Sequence, residues 1–142
     1  IDLRVDAYIP ETYIADGPGR IAAYKRIAAI QTPEDAADVL DELIDRYGDP
    51  PPSVSDLVNV SLARVQATAV GVYEVTQKKD TLVLQVEQLD LRMIQGLLVA
   101  FNGRVVTGAG AKPYLSVTLQ KEEKPLELLQ SILRAMQDIL KD

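Results

Sequence analysis

The sequence has 142 residues, 47% of them hydrophobic and 25% charged, with a formal net charge of -6. That is enough chain for one compact domain with a hydrophobic core, and the composition is that of a soluble globular protein rather than a disordered one. The absence of Cys and His removes thiol nucleophiles, disulfides, zinc ribbons, iron–sulfur sites and any Ser-His-Asp arrangement, leaving carboxylate, Lys or Tyr chemistry and binding.

The acidic balance argues against phosphate tracking as the main role, because nucleic-acid affinity rests largely on Lys and Arg. One Phe and no Trp leave little material for base stacking. No apolar run is long enough to span a bilayer, and no charged-then-apolar leader opens the chain, so a cytoplasmic location is expected. The opening Ile-Asp-Leu, without Met, reads as an excised piece of a longer protein.

Leu3, Val5, Ala7 and Ile9 alternate with Asp2, Arg4, Asp6 and Tyr8, which predicts a short half-buried strand over 2–9. Pro10 ends it. A first helix is expected from about Gly19 to Ile30, with Ile21, Tyr24, Ile27, Ala28 and Ile30 as its apolar stripe. Thr32-Pro33-Glu34-Asp35 marks a second helix start, with a capping hydroxyl, Pro at the first position and acids at the positive end. That helix runs to Tyr47, where Gly48 and Pro50-Pro51-Pro52 stop it. Ala36, Leu40, Leu43, Ile44 and Tyr47 form its predicted apolar face. A third helix is expected from Ser53 or Ser55 to about Val70, with Leu57, Val58, Leu62, Val65 and Ala69 apolar.

After Gly71 the pattern changes. Segments starting at Val72 and Thr81 read as a hairpin around Lys78-Lys79-Asp80. Leu91 to Phe101 reads as a short helix, Gly103–Thr107 and Tyr114–Leu119 as two strands, and Pro125 to Leu140 as an amphipathic helix carrying Leu126, Leu129, Ile132, Leu133, Met136, Ile139 and Leu140. The expected class is α+β: N-terminal helices packed with a small, mainly antiparallel sheet and a C-terminal amphipathic helix. The organisation is one domain over 1–142, with an extended lead-in over 1–16, a helical part over 17–70 and a strand-rich part over 71–142.

The most distinctive local feature is the face of the second helix. Asp38, Asp41, Glu42 and Asp45 crowd its last turns, where the helix dipole favours cations, with Arg46 alone nearby. The like-charge pairs Asp38/Glu42 and Asp41/Asp45 each cost about 0.2–0.5 kcal/mol. A solvated face explains costs this small; a docking surface for a basic partner or a carboxylate metal site explains them differently. One helix face splays its carboxylates, so a metal site ranks last and none is assigned. A hydrolase using Asp38, Asp41, Glu42 and Asp45 stays an alternative, as does a weak nucleic-acid-binding tail using Arg20, Lys25 and Arg26. The glycines at 103, 108 and 110 lack the Lys-Ser/Thr of a phosphate loop and read as hairpin turns, so no cofactor is expected.

The residues Arg20-x-x-x-Tyr24-Lys25-Arg26-Ile27-Ala28, then Glu42-Leu43-Ile44-Asp45-Arg46-Tyr47-Gly48 with prolines following, resemble the C-terminal domain of bacterial transcription-repair coupling factors, the Mfd family. The opening I-D-L-R-V-D-A-Y-I-P-E-T-Y-I is similar to the stretch leading from that family's motor into its tail. The resemblance implies a non-catalytic regulatory domain of an ATP-driven DNA translocase that removes stalled RNA polymerase and recruits UvrA. It implies docking on the UvrB-like N-terminal module of the same protein, over the surface UvrA would use. The family contact has the spacing E-x-x-D-R, which carries over to Glu42, Asp45 and Arg46; Arg20, Lys25 and Arg26 are candidates for secondary contacts on the charge of the neighbouring helix alone. No membrane contact, and no direct nucleic-acid contact of this fragment, is expected.

Overall fold

In a computed structural model, which describes residues 1–141, the chain is α+β, with five helices and one four-stranded antiparallel sheet. The helices are α1 Gly17–Ala28, α2 Pro33–Tyr47, α3 Pro52–Ala69, α4 Leu91–Ala100 and α5 Pro125–Lys141; the strands are β1 Val72–Lys78, β2 Thr81–Val86, β3 Val105–Gly108 and β4 Tyr114–Thr118. Contacts divide the chain into two units: a helical unit, Val5–Val65, and a sheet unit made of Ile1–Arg4 with Gln66 onward.

The charge divides just as sharply. The helical unit holds eleven acidic residues against five basic ones, a balance of -6, whereas the sheet unit holds ten of each and is neutral.

In the helical unit each of the first two helices begins on a side-chain cap. Asp16 accepts from the Gly19 N–H at 2.7 Å, and Thr32 Oγ1 accepts from the Asp35 N–H at 3.0 Å. The Asp35 carboxylate returns the favour by accepting from the Gln31 N–H at 3.0 Å, so two otherwise orphaned donors at the start of α2 are satisfied. Ile9, Ile14, Ile27, Ile30, Val39, Leu43, Val54 and Val58 are all buried and form the core. Buried Ser61 on α3 donates to the Ile27 carbonyl at 2.7 Å, which keeps its hydroxyl from being a buried unpaired group.

Several helix faces differ from the predicted ones. On α1 the buried positions are Ala23 and Ile27, followed by Ile30 beyond the helix end, while Ile21 is 58% exposed and Ala28 is exposed. Tyr24 stays at the flank because its hydroxyl accepts from the Ile9 N–H at 2.8 Å. On α2, Val39 is buried and Ile44 is exposed. Counting about 100° per residue from Ala36, Leu43 and Tyr47 lie near the centre of the buried stripe, and Ile44 falls about 80° to one side. On α3, Val54, Ala63 and Ala67 join Val58 inside, and Ala69 is exposed.

The predicted strand over 2–9 does not form. Its alternation is real as burial, with Leu3, Val5, Ala7 and Ile9 each less exposed than their neighbours. The backbone finds no continuous partner, because Ile1–Arg4 belong to the sheet unit and Val5 onward to the helical unit. Only Asp2 pairs, as a parallel bridge to Thr76.

The sheet runs in the order β1-β2-β4-β3. Alternate residues Leu82, Leu84, Val86, Leu115 and Val117 are buried, as are Leu126, Leu128, Leu129, Ile132, Leu133 and Met136 of α5. Leu128 joins the predicted α5 stripe, and Leu140, placed in it from sequence, is 52% exposed. No described helix is long and apolar enough to cross a membrane.

Candidate functional site

The candidate residues lie on α1 and α2 of the helical unit. With the buried stripe of α2 facing the core, Glu42 and Arg46 flank it on one side and Asp45 points almost directly outward. The three thus occupy a sector of about 100°, so the motif spacing does bring them to one surface.

Within that surface Glu42 is already engaged. Its carboxylate pairs with the Arg26 guanidinium of α1, and the Arg46 Nε lies 3.8 Å from its other oxygen. The expectation that Arg46 is the only nearby cation is therefore corrected: Arg26 reaches across from the neighbouring helix. The Glu42 side chain is 31% exposed, and those of Arg26 and Arg46 are 50% and 67% exposed. Such partly exposed pairs contribute up to about 1 kcal/mol and serve mainly to align the side chains. Asp38, Asp41 and Asp45 are exposed and make no ion pair among the described residues.

Of the secondary candidates, Arg20 turns back into its own loop. It donates to the carbonyls of Ile14 at 2.8 Å and Ala15 at 2.9 Å, with Glu11 at 3.9 Å. Lys25 is exposed and without an ion pair among the described residues. Arg26 belongs with Glu42. The three cations therefore do not form one basic patch. No group of three Asp or Glu among the described residues converges to hold a metal ion.

Sequence reasoning missed Tyr13. Its hydroxyl donates to the Gly48 carbonyl at 2.8 Å, with the Leu43 carbonyl at 3.2 Å, and its ring leans on Tyr47 with centroids 5.7 Å apart. A loop tyrosine thus satisfies carbonyls at the acidic end of α2 where a cation would ordinarily serve. No local pattern around Tyr13 marks this role. Burial, then the nearby Asp49 and Tyr47, raises its pKa from 10.0. The stability carried by a raised group is fully present below the unfolded value and lost as pH rises through the folded one. Tyr13→Phe is expected to lower the unfolding free energy by about 1 kcal/mol at neutral pH, and to flatten the alkaline loss of stability; urea melts between neutral and alkaline pH read both.

The TRCF domain model matches residues 3–96, which include α1, α2, α3 and the first hairpin. The chain belongs to the TRCF-domain family. The transcription-repair-coupling factor of Bacillus subtilis (strain 168) is 41% identical over 88 residues, covering 62% of this chain and 8% of that protein. The transcription-repair-coupling factor of Staphylococcus aureus (strain USA300) is 27% identical over 145 residues, covering 99% of this chain and 12% of that protein. The chain thus spans about a tenth of the length of these curated relatives. A crystal structure of the C-terminal domain of transcription-repair coupling factor superposes with a TM-score of 0.81 at 27% identity, over 99% of this TRCF-family chain and 90% of the other. The fold likeness therefore extends past residue 96 through α5.

Proposed function

We propose that this domain is a non-catalytic, autoinhibitory module that docks through α2 on the UvrB-like module of its own parent protein and masks the surface used by UvrA. The parent is an ATP-dependent DNA translocase acting on stalled RNA polymerase in the cytoplasm, and its motor lies outside this chain. The observation that carries the reading is Asp45: exposed, unpaired among the described residues, and side by side with Glu42 and Arg46 in the unit that holds the whole net charge. Anions left unanswered within a domain cost little there and gain oriented, charge-assisted bonds when arginines of a partner meet them.

Glu42 and Arg26 act differently in this scheme, holding the docking surface in shape. A closed state favoured by a few kcal/mol yields to a competitor of comparable differential affinity, as a regulatory clamp requires.

Asp45→Arg in the full-length protein is the clean test, because it leaves the Arg26–Glu42 pair intact. UvrA binding is expected to rise about tenfold, corresponding to loss of about 1.4 kcal/mol of docking, while the isolated chain keeps its circular dichroism and melting temperature. Unchanged UvrA affinity in a folded variant overturns the proposal.

A further inference from the structure

Given the α2 docking proposed above, on which this rests, we infer that a cavity between α1 and α2 seats one branched aliphatic side chain of the docking partner. The partner carries that side chain beside an arginine that meets Asp38 and Asp45. Recognition of α2 is then by shape as well as by charge.

The cavity follows from what each helix turns toward the other. Along this line α1 presents Gly19, Ala22 and Ala23, and these small residues leave a gap beside Val39 and Leu43 of α2. Gly19 stays small because a Cβ there would strike the Asp16 carboxylate that caps α1. The gap is about 80 Å³, floored by the buried Ala23, Val39 and Leu43. Arg26, Glu42 and Arg46 also line it, and the Arg26–Glu42 pair spans from one helix to the other.

Volume selects the side chain. An apolar cavity of about 150 Å³ stays dry and accepts a benzene ring. A space of about half that size suits valine or leucine and turns an aromatic ring away. Burying such a side chain on this apolar floor is worth about tenfold or more in affinity, on a surface whose exposed ion pairs give little.

Charge selects its neighbour. Going round α2 from Glu42, away from the cavity, Asp38 lies about 40° and Asp45 about 60° further on. Both are exposed and make no ion pair among the described residues. On the opposite lip, about 60° beyond Ala22 on α1, stands Lys25, also exposed and without an ion pair among the described residues. A cation next to the inserted side chain is drawn to the α2 lip and repelled by the α1 lip, which fixes the direction of the partner segment. Arginine suits that place better than lysine, because its planar fork makes oriented, paired bonds to a carboxylate.

Filling the cavity from its rim tests this without altering a charge. Ala22 is exposed, so Ala22→Leu should keep the melting temperature of the 142-residue chain. In the full-length protein it should raise UvrA affinity about tenfold, and Ala22→Ser should leave that affinity unchanged. Asp38→Arg should raise it too, and Lys25→Glu should not. A second readout does not involve UvrA: with Ala22→Cys, maleimide labelling of that position, followed by mass spectrometry, should be slower in the full-length protein than in the 142-residue chain. Adding Asp45→Arg should restore the fast rate. Equal labelling of the two proteins, or a UvrA affinity indifferent to Ala22→Leu, overturns the inference. If Asp45→Arg still raises UvrA affinity, the proposed docking stands without it; if neither substitution acts, both fall. A rise with Lys25→Glu but not with Asp38→Arg places an anion beside the cavity and overturns the inference. Labelling of the 142-residue chain that slows as its own concentration rises also overturns it, giving the cavity to a second copy.

Discussion

Leu43→Ala is expected to lower the unfolding free energy by about 2–5 kcal/mol, measured by the urea midpoint at unchanged slope. Leu43 is 5% exposed on the inner side of α2 and packs into the isoleucine and valine core of the helical unit. The loss combines the transfer energy of the removed methyls with the cavity they leave, because the surrounding helices close it only in part. The variant also separates two ways of losing the proposed docking. It leaves every charge in place but loosens the packing of the helix that presents them, so on the proposed function UvrA binding by the full-length protein should rise as is expected for Asp45→Arg, accompanied here by a lower melting temperature.

Gly48→Val is expected to cost about 1–3 kcal/mol by a different route. Gly48 sits at φ 86° and ψ -169°, a conformation open to glycine and strained for a β-branched residue whatever space surrounds it. Nothing within 4 Å would obstruct a Cβ, so the cost is backbone strain rather than collision. Relief of that strain unwinds the last turn of α2, taking with it the Gly48 N–H bond to the Ile44 carbonyl at 2.9 Å and the Tyr13 bond to the Gly48 carbonyl. Faster amide exchange over residues 45–48, with the first turn of α2 unchanged, distinguishes this local loss from global unfolding. Gly48→Ala should show the same pattern with a smaller loss.

The limits of α2 were legible because both are written in local chemistry: Thr32 and Pro33 begin it, and Gly48 and the prolines end it, as observed. The hairpin around Lys78-Lys79-Asp80 was legible for the same reason. The lead-in shows where local pattern stops being sufficient. Period two records which side of a segment is covered, and residues 5–9 are covered alternately without joining any ladder. The Arg26–Glu42 pair depends on the rotation of one helix against another, which no spacing within either helix encodes. Ile21 and Ile44 looked like core for a related reason: a stripe more than 100° wide can be placed several ways on the same sequence. The outward direction of Asp45 was legible, because Leu43 and Tyr47 already mark the opposite side of α2 as the inner one, and Asp45 is exposed as expected.

The uneven distribution of charge gives salt a selective influence. The helical unit projects a negative field that hastens encounter with a basic surface in dilute buffer and fades once counterions shorten its reach to about 8 Å at physiological ionic strength. The sheet unit, with no net field of its own, offers ions little to screen. Ionic strength therefore governs how fast the helical half of the molecule finds an oppositely charged neighbour.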